Sequence, residues 1–162
     1  AKYGEDNLVV ITRSNKRAVQ FNQQIRNRVL WQEDDLNAGD RLMVVANNYH
    51  WLADHEDLPT NLIANGDIFI VDRILKRFER YSTPFDEAEV RLADIPKYPG
   101  FSVHINLSVL TSEQASQPRA ERKALYEDVS RDHSHLGSKT KIHEAANNDP
   151  CYQALQLSLI HI

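Results

Sequence analysis

The expected fold depends first on the stretch Leu8-Val9-Val10-Ile11-Thr12-Arg13-Ser14-Asn15. Its first four residues form an unbroken apolar run, which is typical of a strand covered on both faces in a parallel sheet. Ser14 and Asn15 can cap a helix. Apolar residues then recur every three or four positions along one helix face, at Ala18, Phe21, Ile25 and Val29. The pattern predicts a buried strand that leads directly into an amphipathic helix.

Positive charge gathers at this strand-to-helix turn, at Arg13, Lys16 and Arg17. Ligands of open α/β sheets bind beyond the carboxyl ends of the strands, and helix N-termini attract phosphate. An arginine held on such a turn can stabilise charge on a transferring phosphoryl group. The alternative is that these cations form the solvated end of an ordinary helix.

Length and composition indicate a globular protein, because 162 residues with 41% hydrophobic content can supply a core. The net charge of −4 argues against a polybasic protein, so any nucleic-acid contact must come from a local patch. The one cysteine, Cys151, fits a reducing compartment and lacks the signature of a nucleophile. Since neither a membrane-spanning run nor a signal peptide is visible, we expect a cytoplasmic protein with no membrane partner.

The middle of the chain predicts a different architecture. Strand patterns cover residues 41–46, 67–74, 89–93 and 101–107 without helices between them, which favours a small antiparallel barrel. The polar segment from about residue 118 to 148 predicts two surface helices that break at Gly137. A last strand is predicted from Tyr152. Because an α/β layer must return to complete its sheet, we expect the chain to be a fragment.

The sequence shows no phosphate loop, dinucleotide fingerprint, zinc-type cysteine pair or nucleophile elbow. A complete nucleotide-hydrolysing site is therefore not encoded, and no metal site is expected, because His133, His135 and His143 read as solvated side chains. The run Asn47-Asn48-Tyr49-His50-Trp51-Leu52 places two aromatic residues beside amides, as a base-stacking platform would. The alternative is that these aromatic residues plug a barrel.

Four segments together resemble the RecD-like branch of superfamily 1 DNA helicases, which includes the exodeoxyribonuclease V alpha subunit. In order, they are Ile11–Ala18 with Asn22 and Ile25-Arg26, Gly39–Val45 with Asn47-Asn48-Tyr49, Ile63-Ala64-Asn65-Gly66-Asp67, and Tyr152–Leu157. The resemblance implies an α/β fragment of a RecA-like motor domain, interrupted by a small SH3-like antiparallel β-barrel and a polar helical segment. The implied boundaries are 1–38 for the motor-domain start, 39–110 for the barrel, 111–149 for the helices and 150–162 for the return strand.

The resemblance also implies a function, namely that the chain supplies helicase motif IV and a barrel that contacts single-stranded DNA to an ATP-driven motor. ATP and Mg²⁺ would be bound mainly by a first motor domain that precedes this sequence, so the fragment alone would not hydrolyse ATP. Arg13 is the candidate arginine finger, and Arg13 and Arg17 would contact the nucleotide. The implied DNA contacts are Thr12, Ser14, Asn15, Lys16, Asn48, Tyr49 and Asn65.

Leu157–Ile162 differ from the expected continuation of this family. These six residues match what a common sequencing-library adapter encodes in one reading frame, so we expect them to be foreign to the gene. A genuine apolar terminal strand is the alternative.

Two other functions stay open at this point. One is a free-standing module that binds single-stranded nucleic acid without ATPase activity. The other is a structural or protein-interaction domain with no nucleic-acid contact, which the net charge of −4 favours.

Overall fold

The computed structural model describes residues 10–53, 55, 58–110, 119–157 and 159–162. A short 3₁₀ turn, His133–Leu136, separates the third and fourth helices. The elements in chain order are α1 (Asn15–Arg28), β1 (Arg41–Val44), β2 (Ile68–Arg80), β3 (Thr83–Leu92), β4 (Phe101–Asn106), α2 (Leu107–Leu110), α3 (Arg119–Asp132), α4 (Lys139–Asn148), α5 (Pro150–Gln156) and β5 (Leu159–His161).

The five strands form one sheet in the order β4-β3-β2-β1-β5, and each of these four pairings is antiparallel. The long β2–β3 hairpin turns at Tyr81 and Ser82, whose φ angles of 54° and 53° are the left-handed values that tight hairpin turns require. At the other side of the sheet, Leu42 of β1 lies opposite both Phe69 of β2 and His161 of β5. The last residues of the chain therefore form an edge strand beside β1.

One face of the sheet carries the main core. Apolar residues alternate along the strands with more exposed ones, so that every second side chain points to the same side. Residues of the loops before and after β1 complete this core. Its largest fully buried side chains are Leu36, Leu42, Leu52, Ile63, Phe69, Ile105, Leu157 and Leu159.

Helix α5 packs on the opposite face, where Cys151 and Ala154 contact the buried Phe85. A further apolar cluster joins α3, α4 and α5 through Leu125, Val129, Ala146 and Leu155. The helices α3 and α4 lie on either side of Gly137, where φ is 68° and the chain turns. The predicted segment 111–149 thus contains two helices, while residues 111–118 lie outside the described ranges.

The predicted RecA-like α/β fold is wrong. No parallel pairing occurs among the strands of the described ranges. At the end of the predicted buried strand, Val10 is 47% exposed and Ile11 is 91% exposed, and neither belongs to a strand. Leu8 and Val9 lie outside the described residues. At Val10 and Ile11 the apolar pattern did not specify a covered strand, because burial depends on partners that a local pattern cannot supply.

The predicted SH3-like barrel is also wrong, because the sheet that the described residues form is open. β4 and β5 are its two edges, and β1 pairs with β5 instead of closing the sheet onto β4. The predicted last strand from Tyr152 is the helix α5. Asp149 caps this helix by accepting hydrogen bonds from the backbone N–H groups of Cys151 and Tyr152, and Pro150 occupies its first turn.

Candidate nucleic-acid interface

The loop after β1 holds Tyr49 out into solvent. Tyr49 is 65% exposed, whereas the preceding Asn48 is 3% exposed. Asn48 pairs with Ile63 through two backbone hydrogen bonds of 2.8 and 2.9 Å. Its side-chain Oδ1 accepts from the backbone N–H of His50 at 2.9 Å, and its Nδ2 donates to Oε1 of Gln153 at 3.4 Å. Asn48 is therefore a buried anchor, and Tyr49 is the residue that it presents.

Asn65 lies beside this loop because a second turn docks on it. Oδ1 of Asn47 accepts from the backbone N–H of Asn65 at 2.8 Å. The turn needs Gly66, whose φ is 99°, and Asp67 closes it by accepting from the N–H of Ala64 at 2.7 Å. Asn47, Tyr49 and Asn65 are all exposed and are called the asparagine rim below. The structure thus brings together three of the predicted DNA contacts, Asn48, Tyr49 and Asn65.

The second aromatic residue of the predicted platform faces the other way. Trp51 is half-buried, with its ring centroid 5.8 Å from that of His104 and 5.2 Å from that of His50. Phe78 continues this group, 5.2 Å from His104. Nε1 of Trp51 is buried and has no hydrogen-bond partner among the described residues. Trp51 therefore belongs to the packing beneath the rim, and Tyr49 is the residue available for stacking.

The first turn of α1 carries the other predicted contacts. Ser14 caps the helix, since its Oγ accepts from the backbone N–H of Arg17 at 3.4 Å, and Thr12 Oγ1 donates to the Ser14 carbonyl at 3.2 Å. The side chains of Arg13, Lys16 and Arg17 are exposed, and Asn15 is the first helical residue. Of the two reasons for expecting an anion here, the edge of a parallel sheet is absent because the described strands pair antiparallel, whereas the N-terminus of α1 is present.

Charged contacts fasten α1 to the sheet. Nε and Nη2 of Arg26 donate to the two carboxylate oxygens of Asp40 at 3.0 and 2.8 Å, and Nε2 of His161 lies 3.3 Å from Oδ2. Asn22 also donates to the carbonyl of His161. Burial would raise the pKa of Asp40, but the hydrogen bonds from His161 and Arg26 outweigh this effect and lower it. These residues are called the Asp40 clamp; sequence reasoning quoted Arg26 and Asp40 without assigning them this role.

The loop that follows α1 is held by a second arginine. Nη2 of Arg26 donates to the carbonyl of Asp34 at 2.8 Å. From the β2–β3 hairpin, Arg77 reaches the Asp34 carboxylate at 3.0 Å and the carbonyl of Leu36 at 2.8 Å. Residues 34–36 therefore connect the Asp40 clamp to the hairpin.

The thiol of Cys151, in α5, is not activated as a nucleophile. Sγ of Cys151 lies 4.0 Å from Nδ1 of His104. Burial, together with the charge of Asp149, raises the pKa of the Cys151 thiol to about 11, and burial lowers the pKa of His104. The thiol is therefore protonated at neutral pH and is a poor nucleophile.

The three histidines predicted to be solvated do not lie in one cluster. His143 contacts the Tyr126 hydroxyl, whereas the His133 and His135 rings lie 6.2 Å apart beside the last turn of α3. Within the described ranges, no three His, Cys, Asp or Glu residues form a group that could hold a metal ion.

Comparisons with known proteins do not assign the chain. Neither a protein-family model nor a curated protein nor a solved structure matches it. Among the helices of the described ranges, none combines the length and apolar content that crossing a membrane requires.

Proposed function

We propose that this chain is a single-strand-contacting part of an ATP-dependent DNA helicase that works in the cytoplasm, and that it does not hydrolyse ATP by itself. The observation that carries the proposal is the asparagine rim, where the buried Asn48 holds Tyr49 65% exposed beside Asn65. An exposed aromatic ring on a fixed loop can stack on a base, and neighbouring amides can hydrogen-bond to bases or phosphates.

Contacts among the four helicase-like segments support the link to a helicase. Arg26 of the first segment binds Asp40 of the second. Asn48 of the second pairs with Ile63 of the third and donates to Gln153 of the fourth. Segments that are up to about a hundred residues apart in sequence thus meet in one structure, as expected if they form a single working unit.

The open sheet changes how the strand would be contacted. In place of a barrel, the rim at the end of β1 contacts the strand, and Lys16 in the first turn of α1 contacts a phosphate. Thr12, Ser14, Asn15 and Lys16 keep their proposed role at the first turn of this helix. Single-stranded DNA is the partner that such a combination of aromatic, amide and cationic side chains fits.

In this proposal, a separate motor domain binds the nucleotide. ATP and Mg²⁺ would be bound mainly by a motor domain outside the given sequence, because no phosphate loop is encoded here. Arg13 and Arg17, both exposed at the start of α1, are the side chains proposed to reach its phosphates, with Arg13 as the arginine finger.

Binding of a fluorescein-labelled thymidine oligonucleotide, followed by anisotropy, tests the proposal. Tyr49→Ala should weaken binding by about 1–3 kcal/mol, and Tyr49→Phe should retain most of it. Tyr98→Ala is the matched control, since Tyr98 is 39% exposed in the β3–β4 connection. Affinity should fall with rising salt, with a logarithmic slope of about −0.7 per phosphate contact. No binding by the unmodified chain, or equal effects of Tyr49→Ala and Tyr98→Ala, would contradict the proposal.

A free-standing single-strand-binding module is the second candidate. The observation that favours it is the sheet itself, which has its own buried core built around Phe69, Leu42 and Ile105. Extending the reading frame upstream separates the two candidates, because the helicase requires a phosphate loop there and the free-standing module does not.

A further inference from the structure

Large apolar side chains stay exposed on α1 and just after it. The Asp40 clamp and Asn22 hold one side of this helix against the sheet. Phe21 is nevertheless 50% exposed, and Val29 and Trp31, which follow the last helical residue, are 63% and 81% exposed. A group of exposed large apolar side chains is typical of an interaction surface. Phe21, Val29 and Trp31 are called the α1 face below.

Opposite charges lie at the two ends of the α1 face. Arg13 and Arg17 are exposed at the start of the helix, whereas Glu33 and Asp35 are exposed in the loop that follows it. The 14 residues of α1 separate these ends by about 20 Å, at about 1.5 Å per residue. Since charges are largely screened beyond about 10 Å in 0.1 M salt, the two ends do not neutralise each other within one chain. Each end is therefore available to an opposite charge on another molecule.

We infer that the α1 face pairs with the same face of a second copy of the chain, with the two helices antiparallel. A two-fold axis at the exposed Gln24 brings together residues that are equally far from Gln24 in the sequence. Arg17 then lies beside the partner's Trp31, where a guanidinium can stack on an indole. Arg13 lies beside the partner's Asp35. Because the pairing is symmetric, each contact is made twice.

A second copy fits this surface better than nucleic acid or lipid does. Glu33 and Asp35 follow Trp31 closely and would repel a phosphate, whereas a second copy supplies the cations that match them. A membrane-lying helix needs a broad apolar face, and six of the 14 residues of α1 are Asn or Gln. The pairing goes beyond the proposed function. It covers Arg13 and Arg17, so the dimer and the proposed nucleotide contact exclude each other.

Sedimentation velocity over a concentration series tests the pairing, because a dimer has twice the chain mass of 18.6 kDa. Arg13→Glu combined with Arg17→Glu places acid against acid, so this double variant should be monomeric. Glu33→Lys combined with Asp35→Lys places cation against cation and should be monomeric as well. Mixed in equal amounts, the two double variants should form a dimer, because every charged contact then joins opposite signs. Raising the salt concentration should dissociate the dimer.

The contribution of the indole is measured separately. Trp31→Ala should raise the dissociation constant of the dimer at least about 30-fold, because tryptophans buried at interfaces are among the largest contributors to binding. Tyr98→Ala, which removes an exposed aromatic side chain in the β3–β4 connection, is the control and should leave it unchanged.

Three results would overturn the inference. The first is an unmodified chain that stays monomeric over the whole concentration series, and the second is a mixture of the two folded double variants that stays monomeric. The third is a monomeric chain whose tryptophan emission shifts on addition of phosphatidylglycerol vesicles, with the shift lost in Trp31→Phe, which would assign the α1 face to lipid.

Discussion

Residues 10–31 expose several large apolar side chains, whereas the five-stranded sheet buries them. In the first region Ile11, Phe21 and Trp31 are at least half exposed, while in the sheet Phe69 and Phe85 are almost completely buried. The sheet is stabilised by apolar burial. The helix α1 is attached through the Asp40 clamp and the contact of Asn22 with His161. The comparison teaches that polar contacts attach the first region to the sheet, while several of its large apolar side chains stay exposed.

The largest expected effect comes from the core. Phe69→Ala should lower the free energy of unfolding by about 3–5 kcal/mol, because Phe69 is fully buried and its removal leaves a cavity. Phe21→Ala in α1 should change it by less than about 0.5 kcal/mol, since half of that side chain is exposed. Urea unfolding measures both, and similar losses for the two variants would break the comparison.

The next effect concerns the attachment of α1. Arg26→Ala should lower the free energy of unfolding by about 3 kcal/mol, because it leaves the Asp40 carboxylate buried without its guanidinium partner. Arg28→Ala, an exposed arginine of the same helix, is the control and should have little effect. Urea unfolding of the two variants checks this, and equal stability would show that the clamp does not hold the helix.

A smaller change in the free energy of unfolding is expected at low pH. The pKa of Asp40 is lowered in the folded protein, so its stabilising contribution is present above the unfolded value of about 3.9 and is lost as pH falls through the folded pKa. Asp86 behaves oppositely, because burial raises its pKa more than Arg77 lowers it, and it should favour folding below pH of about 3.9. Unfolding measured between about pH 2 and 7 should show a weaker acid loss for Asp40→Asn and a stronger one for Asp86→Asn; the same trend in both would contradict the assignment.

The smallest effect concerns the strain at Trp31. Trp31→Gly should be more stable than Trp31→Ala by about 1 kcal/mol, because glycine accepts a φ of 57° and alanine does not. Thermal unfolding of the two variants measures the difference. If the alanine variant is as stable as the glycine variant, the left-handed turn is not strained.

Local elements could be predicted from sequence more reliably than their partners. Ser14 indicated the start of α1, and alternation in residues 101–107 indicated β4. The direction and order of the strands could not be read in the same way, because pairing β1 with β5 depends on contacts more than a hundred residues apart. The helix α5 was missed although Asp149-Pro150 is a helix-start signal, because the apolar residues after it also suited a strand.

The candidate site was predictable only in part. The run Asn47–Leu52 indicated a stacking platform, and the structure exposes Tyr49 there while it half-buries Trp51. Neighbouring aromatic residues could not be assigned to surface or interior without the fold. Trp31 had no signal of its own in the sequence, because neither the exposure of its side chain nor its left-handed backbone follows from a local pattern.

Arg26 and Arg77 both bind residues 34–36, and these contacts have a mechanical consequence. Arg26 holds this loop from the helix side, and Arg77 holds it from the β2–β3 hairpin. Tension applied to α1 would therefore pass through the loop into the hairpin and be shared across the paired residues of β2 and β3. The load on the helix would then be carried by the most extensively paired strands of the sheet.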